Sequence, residues 1–266
     1  ILSSKSAIDA MNSLHSSTSL GALVLALVAS PTLAATTVKT DTTTAQVTST
    51  AGDVTVTDAG TITLSSGSAI TVDSNNAVDV EGGLALGGAD GATGIAVNAG
   101  TTSTVTVGED ATIAVKESFV PDDDNSDGYA DGSIASASNR YGIHVLSGAT
   151  TSGSISNAGV ITVEGLNSGG IVVDSDYVGD ITNTGTIKVL GDNSVGISTQ
   201  AVDGDITLDG TVTVVGAGAQ DLVVNGDVSG SVIIEGAVSQ ATSFTDDDGD
   251  TLVLSRACLL YTSDAA

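Results

Sequence analysis

Residues 181–197 read ITNTGTIKVLGDNSVGI. The stretch opens on an apolar–polar alternation, breaks at Gly185, alternates again and breaks at Gly191. A period of two places one face of an extended segment in a core, and the Gly- and Asn-rich breaks bound each segment at strand length. Related stretches lie on both sides. One copy is GIHVLSGATTSGSISNAGVITVEG from Gly142, and another is GIVVDSDYVGDITNTGTIKVLG from Gly170. GISTQAVDGDITLDGTVTVVG follows from Gly196, and DLVVNGDVSGSVIIEGAVSQ from Asp221. The marker glycines Gly159, Gly185, Gly210 and Gly236 are spaced 26, 25 and 26 apart. Two residues after each stands Ile161, Ile187, Val212 or Val238; four residues before each stands Ile155, Ile181, Ile206 or Val232.

Each copy therefore holds three short apolar bursts, and such a unit cannot bury a face alone. Stacked on its neighbour it can, with equivalent side chains about 4.8 Å apart and backbone groups paired between coils. The expected fold is all-β, a right-handed parallel β-helix (solenoid) of 25–26 residues per coil. The recurring corner glycines are expected to supply positive φ. Upstream, GTITLSSGSAITVD from Gly60 and STVTVGEDATIAVK from Ser103 share a spacing of 8 between Ile62 and Ile70 and between Val105 and Ile113, and GIAVNAG from Gly94 resembles the later GI strands. At this repeat length, residues 35–257 would hold roughly eight coils. A β-sandwich is the competing architecture, but it requires no equal spacing of corner glycines.

Composition agrees with a thin aliphatic core. Of the 266 residues, 41% are hydrophobic but only 2% aromatic, and there are 33 glycines and 2 prolines. The net charge is −26, from 32 acidic and 6 basic residues. Neutralising phosphate needs clustered Lys or Arg, so nucleic acid is excluded as a partner, and anionic membrane surfaces would repel the chain.

The ends read differently. Met11 is followed by an apolar run, residues 20–29, and then by Ser30, Pro31 and Thr32-Leu33-Ala34. This is the pattern of a secretory signal peptide over 11–34, cleaved after Ala34, with 1–10 as upstream or leader residues. Residues 258–266, CLLYTSDAA, read as adapter sequence, with the gene cut off near Ala257. Cys258 is the single cysteine, so the remainder carries none, as suits an exported chain without disulfides.

Candidate chemistry concentrates in the acidic insertion 117–140, ESFVPDDDNSDGYADGSIASASNR, which interrupts the repeat. Within it Asp123, Asn125, Asp127, Gly128 and Asp131 follow D-x-N-x-D-G-x-x-D. Alternating oxygen ligands before a glycine wrap a hard cation, with the Tyr129 carbonyl filling one position, so the cofactor to consider is calcium. Ile134 stands where an EF-hand places its last Glu, which excludes an EF-hand and leaves a looser calcium loop or a solvated acidic loop. Asp246–Asp250, DDDGD, is a second, shorter acidic cluster. His144 is the lone histidine past the leader, and Lys39, Lys116, Arg140, Lys188 and Arg256 are scattered, so no catalytic residues are singled out. Thr-x-Thr pairs at Thr61/Thr63, Thr104/Thr106, Thr184/Thr186 and Thr211/Thr213 raise an ice-binding array, but the fourth copy lacks one. Their ordinary reading is β-propensity on exposed positions.

The leader, the ISNAG-ITVEG and ITNTGTIKV-GDNSVGI coils, the PDDDNSDGYADG insertion and the NRYGIHV strand together resemble the passenger of bacterial type V autotransporters. The resemblance is to those of alphaproteobacterial type with a C-terminal outer-membrane β-barrel, and it covers roughly residues 11 to 257. It implies export through the periplasm, display at the cell surface or outer membrane, and a non-enzymatic adhesin or surface-structural role. The partners it implies are a ligand or glycan on a host or neighbouring cell, and a barrel of the same chain that would follow this fragment. A β-helical polysaccharide-active enzyme and an ice-binding or surface-layer solenoid are the alternatives.

Overall fold

The computed structural model describes residues 33–119, 122–245 and 251–253. The expected leader lies outside the described residues except for Leu33 and Ala34, as do the 246–250 cluster and the 258–266 tail. The described chain is a parallel β-helix. Three sheets run along it, and every strand-to-strand pairing within them is parallel. One winding illustrates the rest: Ile181–Asn183 lies in the first sheet (A), Thr186–Leu190 in the second (B) and Val195–Thr199 in the third (C). Sheets B and C each contain seven strands, so the helix has about seven turns, with an eighth rung in sheet A.

Register follows the period-two pattern. In sheet B, Ile161 pairs with Ile187, Ile187 with Val212 and Val212 with Val238. The same file runs back through Ile113 and Leu84 to Ile62. Sheet C contributes Ile70, Ile95, Ile143, Ile171 and Ile197, and sheet A contributes Val54, Val78, Val105, Ile155, Ile181 and Ile206. All of these side chains from Ile62 to Val212 are buried in one continuous cluster. Each buried aliphatic side chain contributes roughly 1.5–3 kcal/mol, so the aliphatic files hold the windings together, with Tyr177 the one aromatic side chain in the cluster among the described residues. At the last rung of sheet A this burial ends: Val232, Ile233 and Ile234 are exposed.

The marker glycines lie at the A-to-B corner for a reason other than the expected one. Gly159, Gly185, Gly210 and Gly236 do not have positive φ. Their constraint is space: a Cβ on Gly185 would lie 2.1 Å from the Gly159 carbonyl oxygen, and one on Gly210 would lie 2.0 Å from that of Gly185. Successive corners therefore approach too closely for any side chain. A second glycine column, Gly94, Gly142, Gly170 and Gly196, faces inward from sheet C, where the Cγ2 atoms of Ile113, Ile161 and Ile187 occupy the space opposite the first three.

Two further expectations are corrected. The upstream segments that share a spacing of 8 are not equivalent. Ile62 and Ile70 lie on sheets B and C, whereas Val105 and Ile113 lie on sheets A and B. The count is also about seven turns, not eight, because windings differ in length. From Ile62 to its partner Leu84 is 22 residues, from Leu84 to Ile113 is 29, and from Ile113 to Ile161 is 48. The last of these windings carries the insertion.

Many carboxylates serve the stack itself. Asp180 accepts a hydrogen bond from the Asp205 amide one winding on (2.9 Å), and Asp205 accepts one from the Ser231 amide (2.7 Å). Asp53 and Asp192 do the same for Ala77 and Ala217. The acidic composition is thus partly structural, since these side chains satisfy corner amides that no strand pairs.

Candidate functional site: the acidic insertion and its neck

In the later windings the B-to-C corner takes four residues, as between Thr186–Leu190 and Val195–Thr199. Between Thr112–Val115 and Tyr141–Val145 the same corner holds the whole insertion. Its two ends are closed by a buried charged network. Among the described residues, Arg140 is the largest fully buried side chain. It occupies the corner position filled in other windings by Ala92, Ser168, Ser194 and Ala219, each just before a paired residue of sheet C. Its Nη2 donates to the carbonyls of Gly87 (2.6 Å) and Lys116 (2.8 Å), and Nη1 donates to that of Glu164. These three carbonyls belong to consecutive rungs of sheet B. Burial pulls the guanidinium pKa below its ordinary value, while the nearby carboxylates of Glu117, Glu164 and Asp90 act in the opposite direction.

Glu117 closes the other side of the neck. Its two carboxylate oxygens accept the amides of Ser136 and Ala137, each at 2.8 Å, and its own amide donates to Glu164 (2.9 Å). Lys116 lies 3.7 Å from Glu164. Asp90 accepts the Ser138 amide, the Asn139 amide donates to the Leu166 carbonyl of the next winding, and the Leu166 amide donates back to the Ala137 carbonyl. Residues 137–139 are thereby built into the stack as an ordinary corner rung.

The calcium candidates lie in the tip. Asp123 turns its oxygens onto the loop backbone, accepting the amides of Asp127 (3.0 Å) and Gly128 (2.8 Å), and Asp127 accepts the Tyr129 amide (3.0 Å). Asn125 donates to Asp131 Oδ1 at 3.3 Å, while Asp131 Oδ2 is buried without a partner. Tyr129 bridges to Val253 through the backbone. The five candidates are thus brought into one loop. Among the described residues, no group of three or more acidic, His or Cys side chains is preassembled around a cation position.

The insertion does not project from the helix. Ile134, the residue that excludes an EF-hand, is buried against Val215, with Ala130, Leu190 and Ala241 packed around them. The tip therefore lies along the flank of later windings.

His144 lies on the outer face of sheet C. Its Nε2 is 2.8 Å from Asp174 Oδ2, and its ring lies 4.0 Å from that of Tyr141, centroid to centroid. Burial raises the Tyr141 pKa, and Asp174 adds to it. The threonine pairs fall on different faces: Thr61/Thr63 and Thr211/Thr213 are on sheet B, Thr104/Thr106 on sheet A. On sheet B, Gly83 and Ala85, and then Lys188, interrupt the threonine files. A more regular hydroxyl file, missed in the sequence, runs on sheet A through Thr55, Thr106, Ser156, Thr182 and Thr207, with Asp79 between the first two. The three-residue strands that hold Thr55, Thr182 and Thr207 carry one threonine each, which does not register as a pair.

Sequence reasoning also missed Arg140 and Glu117 as a unit. The available signal was a basic residue in a base-poor chain, directly before a GI strand, paired with the acid that opens the insertion. Comparison with protein-family models, with curated proteins and with solved structures finds no match.

Proposed function

We propose that this chain is a non-enzymatic, surface-displayed passenger of the autotransporter type, acting as an adhesin or cell-surface structural element. The observation that carries this reading is an unbroken stack of parallel windings that seats a 117–140 insertion on a buried neck at Arg140. A solenoid of this kind is quasi-one-dimensional: windings support one another, and a flank can carry an insertion without loss of the core. The test is binding of residues 35–257 to arrayed glycans and matrix proteins. Saturable binding that disappears when 122–134 is replaced by a Gly/Ser linker is expected. Release of cleaved saccharides from the array would overturn the reading in favour of a polysaccharide-active enzyme.

A dependent part of the proposal is that the insertion takes calcium. Asp131 Oδ2, buried and unpartnered, favours it, and each Asp123 oxygen that accepts an amide keeps lone-pair capacity for a cation. Asp123, Asn125, Asp127, the Tyr129 carbonyl and Asp131 would hold the ion and cross-link the tip. Millimolar calcium should slow proteolysis within 122–134, and should not do so in an Asp131→Ala variant. Equal cleavage with and without calcium would remove this part.

A further inference from the structure

We infer that the insertion is an axial strap. Rooted in one winding, it fastens the segment that leaves the last winding to the flank of the helix. The root is rigid: residues 137–139 are stacked between Gly91 and Leu166, and Arg140 and Glu117 close the neck. The tip reaches windings far along the axis. Ile134 is buried against Val215, which pairs with Leu190 at the ends of consecutive sheet B strands. Ala241, just past the last strand of sheet B, packs on the same cluster and donates its amide to Val214 (2.9 Å). Beyond it, Ser243–Thr245 and Thr251–Val253 form an antiparallel hairpin, and Val253 accepts the Ala130 amide (2.8 Å). The Asp131 amide donates to the Asp122 carbonyl (2.7 Å), which closes the tip behind this contact.

Among the described residues, tip and C-terminal strands share one apolar contact. An isolated two-stranded hairpin is marginal in water, and a polar loop recovers little for the entropy of fixing it. Their shared asset is the small apolar cluster of Ile134 and Val215, which is separate from the central column. Tip and hairpin therefore hold each other.

The experiment is hydrogen exchange on the full chain for wild type, Ile134→Ser and Val215→Ser, with Ile134→Val as the conservative control. Each serine variant is expected to accelerate exchange at Ala130, Asp131 and Ala241 together, by roughly ten- to a hundredfold for the loss of one buried aliphatic contact. Ile134→Val should stay close to wild type. Serine variants that each loosen only their own segment would overturn the inference. So would loss of protection through the strands from Thr61–Leu64 to Val160–Glu164, since a flank contact should not hold windings whose core lies elsewhere.

Discussion

Asn157 donates from Nδ2 to Asn183 Oδ1 at 2.7 Å across one rung, and both side chains are fully buried. They replace, for two windings, the aliphatic file that runs through Val56, Val80 and Val107 before them and Leu208 after them. Each amide nitrogen also reaches the carbonyl two residues ahead, that of Gly159 or Gly185, at the A-to-B corner. Asn157 Oδ1 has no partner. The pair thus ties the corner to the core and leaves one acceptor unsatisfied.

That arrangement predicts non-additivity. Asn183→Val alone removes the acceptor and leaves the buried Asn157 amide with only its long contact to the Gly159 carbonyl, a cost of about 1–3 kcal/mol. Replacing both with Val restores the file and should come close to neutral. Denaturant melts of the two single variants and the double variant, combined as a double-mutant cycle, check this. A double variant as unstable as the sum of the singles would contradict it.

The two kinds of corner glycine should respond differently to alanine. At Gly185 the new Cβ would meet the Gly159 oxygen at 2.1 Å, and both belong to backbone that strand pairing holds in place. Gly185→Ala should cost more than about 2 kcal/mol, as overpacking against fixed backbone does. At Gly67, φ is +78° but nothing lies within 4 Å of the added Cβ. Gly67→Ala should then cost only the left-handed conformational penalty, about 1–2 kcal/mol. Thermal melts of the two variants would separate close approach from backbone conformation.

The same contrast explains what could be read from the chain. The alternation around Ile161, Ile187 and Val212 depends only on side-chain period, so the central file was legible. The marker glycines were legible as a spacing but not in their cause, because a close approach between windings leaves no local signal. The upstream register was obscured where windings of 22 and 29 residues depart from the period. In the insertion, the Asp/Asn spacing pointed to the loop, but the anchoring role of Ile134 depends on Val215, 81 residues later. Arg140 was hidden for the same reason: its three acceptors are backbone carbonyls, which have no sequence identity.

The neck can be tested through Arg140. A lysine has one ammonium and cannot fan out to carbonyls of three rungs as the planar guanidinium does. Arg140→Lys should therefore leave at least one of the three carbonyls without its donor, at a cost of about 1–3 kcal/mol. The loss should be local. Limited proteolysis within the 122–134 tip is expected to speed up while the later strands, such as Thr186–Leu190, stay protected. Unchanged cleavage would show that Glu117 and the flank contact suffice to close the insertion.

Acid stability offers a last test, at the opposite end of the helix from the strap. Asp73 sits beside the single helical turn Thr48–Ala51. Burial alone would push its carboxyl up, but hydrogen bonds from the Ser49 hydroxyl and amide and from the Thr48 hydroxyl outweigh it and hold the pKa below the ordinary value. A depressed folded pKa means that the group stabilises the fold fully above the unfolded value, near 3.9, and loses that contribution as pH falls through the folded value. Asp221 has the opposite sign: burial raises its pKa, the Val214 backbone offsets this only in part, and Oδ1 lacks a partner. Its penalty is absent below the unfolded pKa and grows as pH rises through the folded one. Asp73→Asn should therefore destabilise the first windings at neutral pH and flatten the loss of stability below about pH 4. Asp221→Asn should raise stability at neutral pH and make little difference in acid. Melting temperatures of both variants between pH 3 and pH 7 would decide, and parallel curves for wild type and Asp73→Asn would refute the assignment.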